Sequence, residues 1–515
     1  MKNAVGIDIP VELKGIGVLE PFDGARYSGW INDAPSVSQR HKESVKIVKD
    51  LQTAVERCGL QNGMTISFHH HFRNGDFIIN MVLDTLSRMG FRDLVLAPSS
   101  LSDVHAPVIG HIKSGLISRI ETSGMRGELA TAISNGLMDI PVVFRSHGDR
   151  GRAIADGDLR IDVAFLGVPS SDPYGNANGY SRDGDNSSAC GSMGYAKVDA
   201  QYARKVVLIT DHLVPFPNTP FGIPQSQVDL IVKVDRIGDP KGIVSGATRF
   251  TKNPRELLIA KLAAQVVKAS GYMEDGFCFQ TGSGGAALAV TRYLRQYMLD
   301  SSIKANFALG GITGQIVSMH EEGLVKKILD VQSFDLQAVE SLKNNRFHQQ
   351  IDAVYYASSG MEGSAVNQLD VVILSALEID IDFNVNVLTG SDGVIRGAIG
   401  GHPDTAAGAC MSVIVAPLVR GRISTILDQV NTIVTPGNTV DVLVTDQGIA
   451  VNPLREDLAR RLHDAHLPVF TIQELQAKAE KLTGKPAPIP VEDKIVGVVN
   501  YRTGTVIDLI RQVKR

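Results

Sequence analysis

The stretch IDVAFLGVPSSDPYGNAN, residues 161–178, returns in altered form as LDVVILSALEIDIDFNVN at 369–386, and this pairing decides how the chain is read. It sets Asp162 against Asp370, and Asn176 and Asn178 against Asn384 and Asn386, at an offset of 208. Two flanking pairs keep nearly the same spacing. NGMTISF (62–68) matches DGFCFQT (275–281) at an offset of 213, and VDLIV (228–232) matches VDVLV (440–444) at 212. Three anchors with one spacing indicate an internal duplication rather than chance similarity.

Within each copy, short apolar runs such as VVLIT, VDLIV, LDVVIL and VDVLVT alternate with helical patterns. Runs that are apolar at successive positions suit strands covered on both faces, and hence a parallel sheet between helices. PRELLIAKLAAQVVKASG (254–271) begins at Pro and stops at Gly, the usual limits of a helix. The expected fold is α/β, with two tandem homologous open α/β domains whose largely parallel sheets face a shared cleft. The expected boundaries are an N-terminal extension at 1–45, a first domain at 46–248 and a second at 249–515.

A chain of 515 residues exceeds what one hydrophobic core supports, which agrees with two large domains. Lys and Arg number 51 against 55 Asp and Glu, so the net charge of −4 gives no reason to expect nucleic acid. The four cysteines, Cys58, Cys190, Cys278 and Cys410, lie far apart without a CxxC pair, which argues for reduced thiols over a zinc cluster or disulfide framework. MKNAVGIDIPVELKGIG lacks the apolar run of a secretory signal, and SVIVAPLV (412–419) is far shorter than the roughly 20 residues a bilayer requires. A cytoplasmic protein without membrane contact is expected.

Chemistry in such folds sits in strand-to-helix loops, where helix N-termini offer free N–H groups. Gln280-Thr-Gly-Ser-Gly-Gly285 is one candidate, either a phosphate or thioester loop or a tight turn for helix–sheet packing. A second, Gly390 to Thr405, carries five glycines with Arg396 and His402. In the first half, His69-His70-His71 and Arg73 follow the strand MTISF as a candidate carboxylate clamp. A metal site is disfavoured there, because consecutive residues of an extended chain alternate direction and no carboxylate-rich cluster completes a ligand set. The polar cluster Arg145 to Arg150 reads equally well as a solvated loop. Lipase, P-loop, zincin and dehydrogenase signatures are absent from the sequence.

Gln280 to Gly285 and Gly397-Ala-Ile-Gly-Gly401 resemble the paired Gly loops of the CoA-transferase superfamily. More particularly, FLGVPSSDPYGNANGY, GATRFTKNPRELLIA, LGGITGQIV, LDVQSFD, LSALEIDIDFNVNVLTGSDGVIRGAIGGH and IVAPLVRGRI resemble the citrate lyase α-subunit family, from about residue 45 to the C-terminus. The resemblance implies a CoA-transferase that exchanges acetate for citrate on the thioester of an acyl carrier protein bearing a CoA-like group. It implies a carrier (γ) and a lyase (β) partner in an oligomeric complex, citrate and acetate as small ligands, and no tightly bound cofactor, the CoA-type thioester being substrate. Many CoA-transferases use a glutamate nucleophile some two dozen residues after the first Gly loop, but Lys304 to Gly311 holds no carboxylate. That departure agrees with transfer through a mixed anhydride without a glutamyl-enzyme, and leaves Glu378 as the acidic candidate, with a structural hydrogen-bonding role as its alternative. By motif matching, Gln280, Ser283, Gly284, Gly285, Gly397, Gly400 and Gly401 are the thioester-binding candidates. His69, His70, Arg73, Arg396 and His402 are those for citrate, since three carboxylates call for several cations. A transferase for citramalate or another short acid, and a non-catalytic CoA-ester scaffold, are the alternatives.

Overall fold

A computed structural model of the chain describes residues 45–182, 189–244, 251–282 and 284–514, together with the strand pair Glu12–Leu13 and Gly17–Val18. The expected boundary at 248/249 and Ser283 lie outside the described residues.

Two large sheets carry the fold. In the first, the strand Thr65–Phe68 is central. Leu94–Pro98, Ile117–Thr122 and Val142–Phe144 extend the sheet on one side, and Val163–Gly167, Lys205–Thr210, Leu230–Lys233 and Ile47–Val48 on the other, all parallel. In the second, Cys278–Thr281 is central, with Ala305–Ile312, Val325–Ser333 and His348–Gln350 on one side. Val371–Ser375, Met411–Val415 and Val442–Thr445 run parallel on the other, followed by antiparallel Gly448–Val451 and then Val469–Phe470. The three anchor pairs read from the sequence therefore occupy equivalent places in the two sheets, and the α/β, largely parallel architecture is as expected.

The repeat extends to single hydrogen bonds. Asp162 accepts from the Thr65 amide at 2.9 Å, and Asp370 accepts from the Cys278 amide at 2.7 Å. Asp229 accepts from Val206 N as Asp441 does from Ser412 N. Each carboxylate satisfies an amide at the start of a neighbouring strand that would otherwise lack a ladder partner.

One boundary needs correction. The C-terminal strands Val491–Asn500 and Val506–Val513 form a hairpin, and the former pairs in parallel with Val142–Phe144. Residues assigned from sequence to the second domain thus complete the first sheet, burying Val496, Val499 and Ile510. Nothing local in an apolar strand records which sheet edge it will join.

One core cluster runs through both halves, and the second half has another of its own. Val371, Ile373, Val413, Val415, Val442 and Val444 pack toward the helices Pro254–Ala269 and Gly285–Ser301. The alternate residues Val372, Leu374, Ile414 and Leu443 join a cluster that runs through the first half. Period-2 alternation of strand side chains with both faces buried explains these uninterrupted apolar runs. No helix among the described residues is long and apolar enough to cross a membrane.

Candidate active site

A cavity of about 400 Å³ opens between the halves at the C-terminal ends of the strands, the end at which open α/β sheets place ligands. Its wall includes His70, Arg73, Arg126, His147 and Tyr195 from the first half, and Gln280, Gly284, Tyr356, Gly400, Gly401, His402 and Arg420 from the second. No Asp or Glu lines it among the described residues.

The first-half wall follows from sheet order. Thr65–Phe68 runs between Leu94–Pro98 and Val163–Gly167, so the histidines after Phe68 emerge beside Ser99 and Gly167. His69 Nε2 donates to the Gly167 carbonyl at 2.7 Å, and its Nδ1 lies 2.5 Å from His71 Nδ1. His70 turns the other way, with Nδ1 2.5 Å from Ser99 Oγ, and reaches the cavity. Burial, reinforced by neighbouring imidazoles and Arg73, holds His70 and His71 well below the usual histidine range, so both are neutral. Among the described residues no group of three or more His, Cys, Asp or Glu is placed to hold a metal ion.

Arg73 stacks across the cleft on Phe334, its guanidinium carbon 4.3 Å from the ring centroid. Burial and Arg126 lower it to about 10, which leaves it charged at neutral pH. Arg126 is exposed, stands at the N-cap of the helix Gly127–Ser134, and has no ion-pair partner among the described residues. Arg420 is pinned by the carbonyls of Ala376 and Leu377. Three guanidinium groups, with no carboxylate among the described lining residues, make the cavity an anion site.

The second-half Gly loop is held from across the interface. Met125 N donates to Gly397 O, Ile399 N to Ser123 O, Gly400 N to Ser123 Oγ and His147 N to Gly400 O, at 2.8 to 3.1 Å. Gly124 permits this approach, since a Cβ there would lie 2.2 Å from Ala398 Cα. Part of the glycine density at 390–405 thus serves close packing of the two halves.

The structure brings His70, Arg73, Gln280, Gly284, Gly400, Gly401 and His402 to one cavity and leaves His69, Arg396, Gly285, Gly397 and Glu378 outside its lining. His402 lines the wall, but Nδ1 is bonded to Thr435 Oγ1 and Nε2 to Ser375 O, so neither ring nitrogen is open to a ligand. His69 is likewise bonded at both nitrogens and stands behind the wall. Arg396 pairs with Asp392 at the surface, outside the cavity. Gly397 and Gly285 support the loops without lining the cavity. Glu378 is buried behind the wall, accepting from Asn386 Nδ2 at 2.8 Å and from Asn431 Nδ2 at 2.8 and 3.0 Å. That is the structural alternative raised for it, and burial raises its carboxyl despite these bonds.

Arg126, His147, Tyr195, Tyr356 and Arg420 were not among the candidates read from sequence. Only His147 carried a local signal, inside the polar cluster 145–150. Ser146 caps the helix His147–Asp156 and so sets His147 at its first turn. Tyr356 follows Asp352, which caps Ala353–Ala357, and its hydroxyl accepts from Gln280 Nε2 at 2.9 Å.

The architecture is that of the CoA-transferase-like proteins. A 4-hydroxybutyrate CoA-transferase from Porphyromonas gingivalis matches 85% of this chain and 97% of its own with a TM-score of 0.53 at 17% identity, a likeness of fold alone. The family of citrate lyase alpha subunits matches residues 44–513, and the chain belongs to that family. The citrate lyase alpha chain of Klebsiella pneumoniae is 58% identical over 497 residues, 96% of each chain. A structure from Streptococcus mutans, described as the alpha subunit of citrate lyase in complex with citrate, is 54% identical with a TM-score of 0.89 and full coverage of both chains.

Proposed function

We propose that this chain is the citrate CoA-transferase subunit of a citrate lyase, and that citrate enters the cavity between the halves. The observation that carries the reading is the cavity's charge: Arg73, Arg126 and Arg420 line it without any described Asp or Glu. A tricarboxylate offers each guanidinium a bidentate partner, and the partly desolvated site strengthens those bonds.

The thioester enters along the second-half wall, at Gly284. The helix Gly285–Ser301 begins at Gly284 without a side-chain cap, so its first amides are available to a carbonyl or phosphate oxygen. A carboxylate oxygen of citrate adds to the acetyl-thioester carbonyl, and collapse expels the thiolate and leaves a mixed anhydride. The thiolate then adds to the citryl carbonyl of the anhydride and acetate departs. The cavity supplies proximity and exclusion of water, which protects the anhydride. The lack of a carboxylate among the described lining residues favours this direct route over a glutamyl-enzyme. The thioester is a substrate carried by an acyl carrier protein with a CoA-like arm, and a lyase subunit receives the citryl-thioester. A cytoplasmic location accompanies this assignment.

The test is to incubate the purified chain with acetyl-CoA or acetylated carrier and citrate, and to follow acetate and citryl-thioester by mass spectrometry. Citrate-dependent exchange is expected. No exchange with citrate or any short carboxylate, from a folded chain with authentic carrier, would leave the scaffold alternative, and a preference for citramalate would reassign the acid.

A further inference from the structure

We infer that His70 is the hydrogen-bond donor to the oxyanion that forms on the thioester carbonyl, presenting Nε2–H in the tautomer that Ser99 enforces; this rests on the transferase reading above. Phe68 pairs with Pro98 in adjacent parallel strands, so His70 and Ser99 leave the sheet side by side. Ser99 Oγ accepts from the His70 amide at 3.0 Å and lies 2.5 Å from His70 Nδ1. A hydroxyl carries one proton, and among the described residues this one has no acceptor other than Nδ1. Ser99 therefore donates to Nδ1, and the ring proton resides on Nε2.

That second nitrogen has no hydrogen-bond partner among the described residues, is not sealed in the core, and belongs to a ring that lines the cavity. The ring is fixed by its neighbours, with Tyr195 at 4.9 Å and His147 at 5.5 Å between centroids. A donor held in place before the reaction is the form of oxyanion stabilisation that works best.

The chemistry asks for this kind of donor. In each of the two additions, a lone pair of the incoming oxygen or sulfur bonds to the carbonyl carbon while the π pair moves onto the carbonyl oxygen. Collapse returns that pair and expels thiolate in the first step and acetate in the second. No proton is gained or lost overall, so the oxyanion needs a group that holds its proton. His70 is suited to this by burial and by Arg73, His69 and His147, which disfavour its charged form. The arginines, by contrast, carry full charge and match the carboxylates of the entering acid.

The experiment compares wild type with His70→Ala, His70→Gln and Ser99→Ala in the acetyl-to-citryl exchange, with thermal melting to verify folding and with nitrogen NMR of labelled histidine. His70→Ala is expected to lower kcat by about 10²–10³-fold while the citrate KM stays within a few-fold. His70→Gln, which keeps an N–H donor, recovers part of that loss. Ser99→Ala loses less and admits the Nδ1–H tautomer. Wild-type His70 should show a protonated Nε2 and no titration between about pH 6 and 8. A raised citrate KM with unchanged kcat in His70→Ala, or an Nδ1–H ring in the wild type, would overturn the assignment. A folded wild type that exchanges no acid at all defeats the transferase reading instead, and the NMR result then decides the tautomer by itself.

Discussion

Asp404, in the second half, accepts from the Gly148 amide of the first half at 2.9 Å, and its other oxygen accepts from the Ser146 hydroxyl at 2.7 Å. It thereby holds the start of the helix that carries His147 against the Gly loop. Arg502 of the C-terminal hairpin lies 4.0 Å from the same carboxylate, so three distant parts of the chain meet there. Position 148 accepts only glycine, because a Cβ would stand 2.2 Å from Ala357 O.

Asp404→Ala is expected to destabilise the protein by about 2–4 kcal/mol, since two buried donors lose their acceptor. Asp404→Asn, which keeps one acceptor, should lose less. Urea unfolding measures this, and an unchanged midpoint for Asp404→Ala would mean that the contact is dispensable.

The pH dependence of stability has two opposed sources. Burial raises Asp404 to about 7, so its share is full below the ordinary carboxylate value of 3.8 and is lost as pH climbs through about 7. His147 and His402 are depressed by burial to about 3 and about 4 from an ordinary 6.5. The unfolded chain therefore protonates first, and the folded state loses stability as pH falls below 6.5. In Asp404→Asn the opposing contribution is gone, and stability should fall more steeply between about pH 6.5 and 4 than in wild type. Parallel pH profiles of the unfolding midpoints for wild type and Asp404→Asn across that window would mean that Asp404 is ionised throughout.

The arginines should separate by depth. Arg73→Ala removes a buried cation from the cavity in which citrate is proposed to bind; the loss, about 2–5 kcal/mol, should raise the citrate KM by at least tenfold. Arg126→Ala, at the exposed mouth, should change it by less than about tenfold, within the range of solvent-screened pairs. Steady-state kinetics in citrate ranks them, and equal effects would argue against the assigned depths.

Glu378→Gln should leave most of the turnover intact while destabilising the fold by about 1–3 kcal/mol, because the new amide opposes the donor nitrogens of Asn386 and Asn431. A covalent glutamyl intermediate at this position would instead make the variant inactive and would label Glu378 after hydroxylamine treatment of the acetylated enzyme.

The duplication was legible because strand patterning and repeat spacing are properties of contiguous sequence. The strands at 65, 163 and 230 and their counterparts at 278, 371 and 442 take equivalent places in the two sheets. The Gly loops were legible for the same reason, as turns after recognisable strands. His402 and Arg396 were legible as residue types but not as roles, since their partners Thr435, Ser375 and Asp392 are settled by packing.

The residue order by itself determined two copies of an α/β unit, the strands of each and the loops where a ligand would meet backbone amides. Tertiary structure alone decided that Arg73, Arg126 and Arg420 share one cavity, that the C-terminal hairpin closes the first sheet, and that Ser99 orients His70. The physical reason is range: hydrophobic periodicity and turn chemistry act over a few residues, whereas a charged cavity forms from side chains that only the packing of two sheets brings within reach.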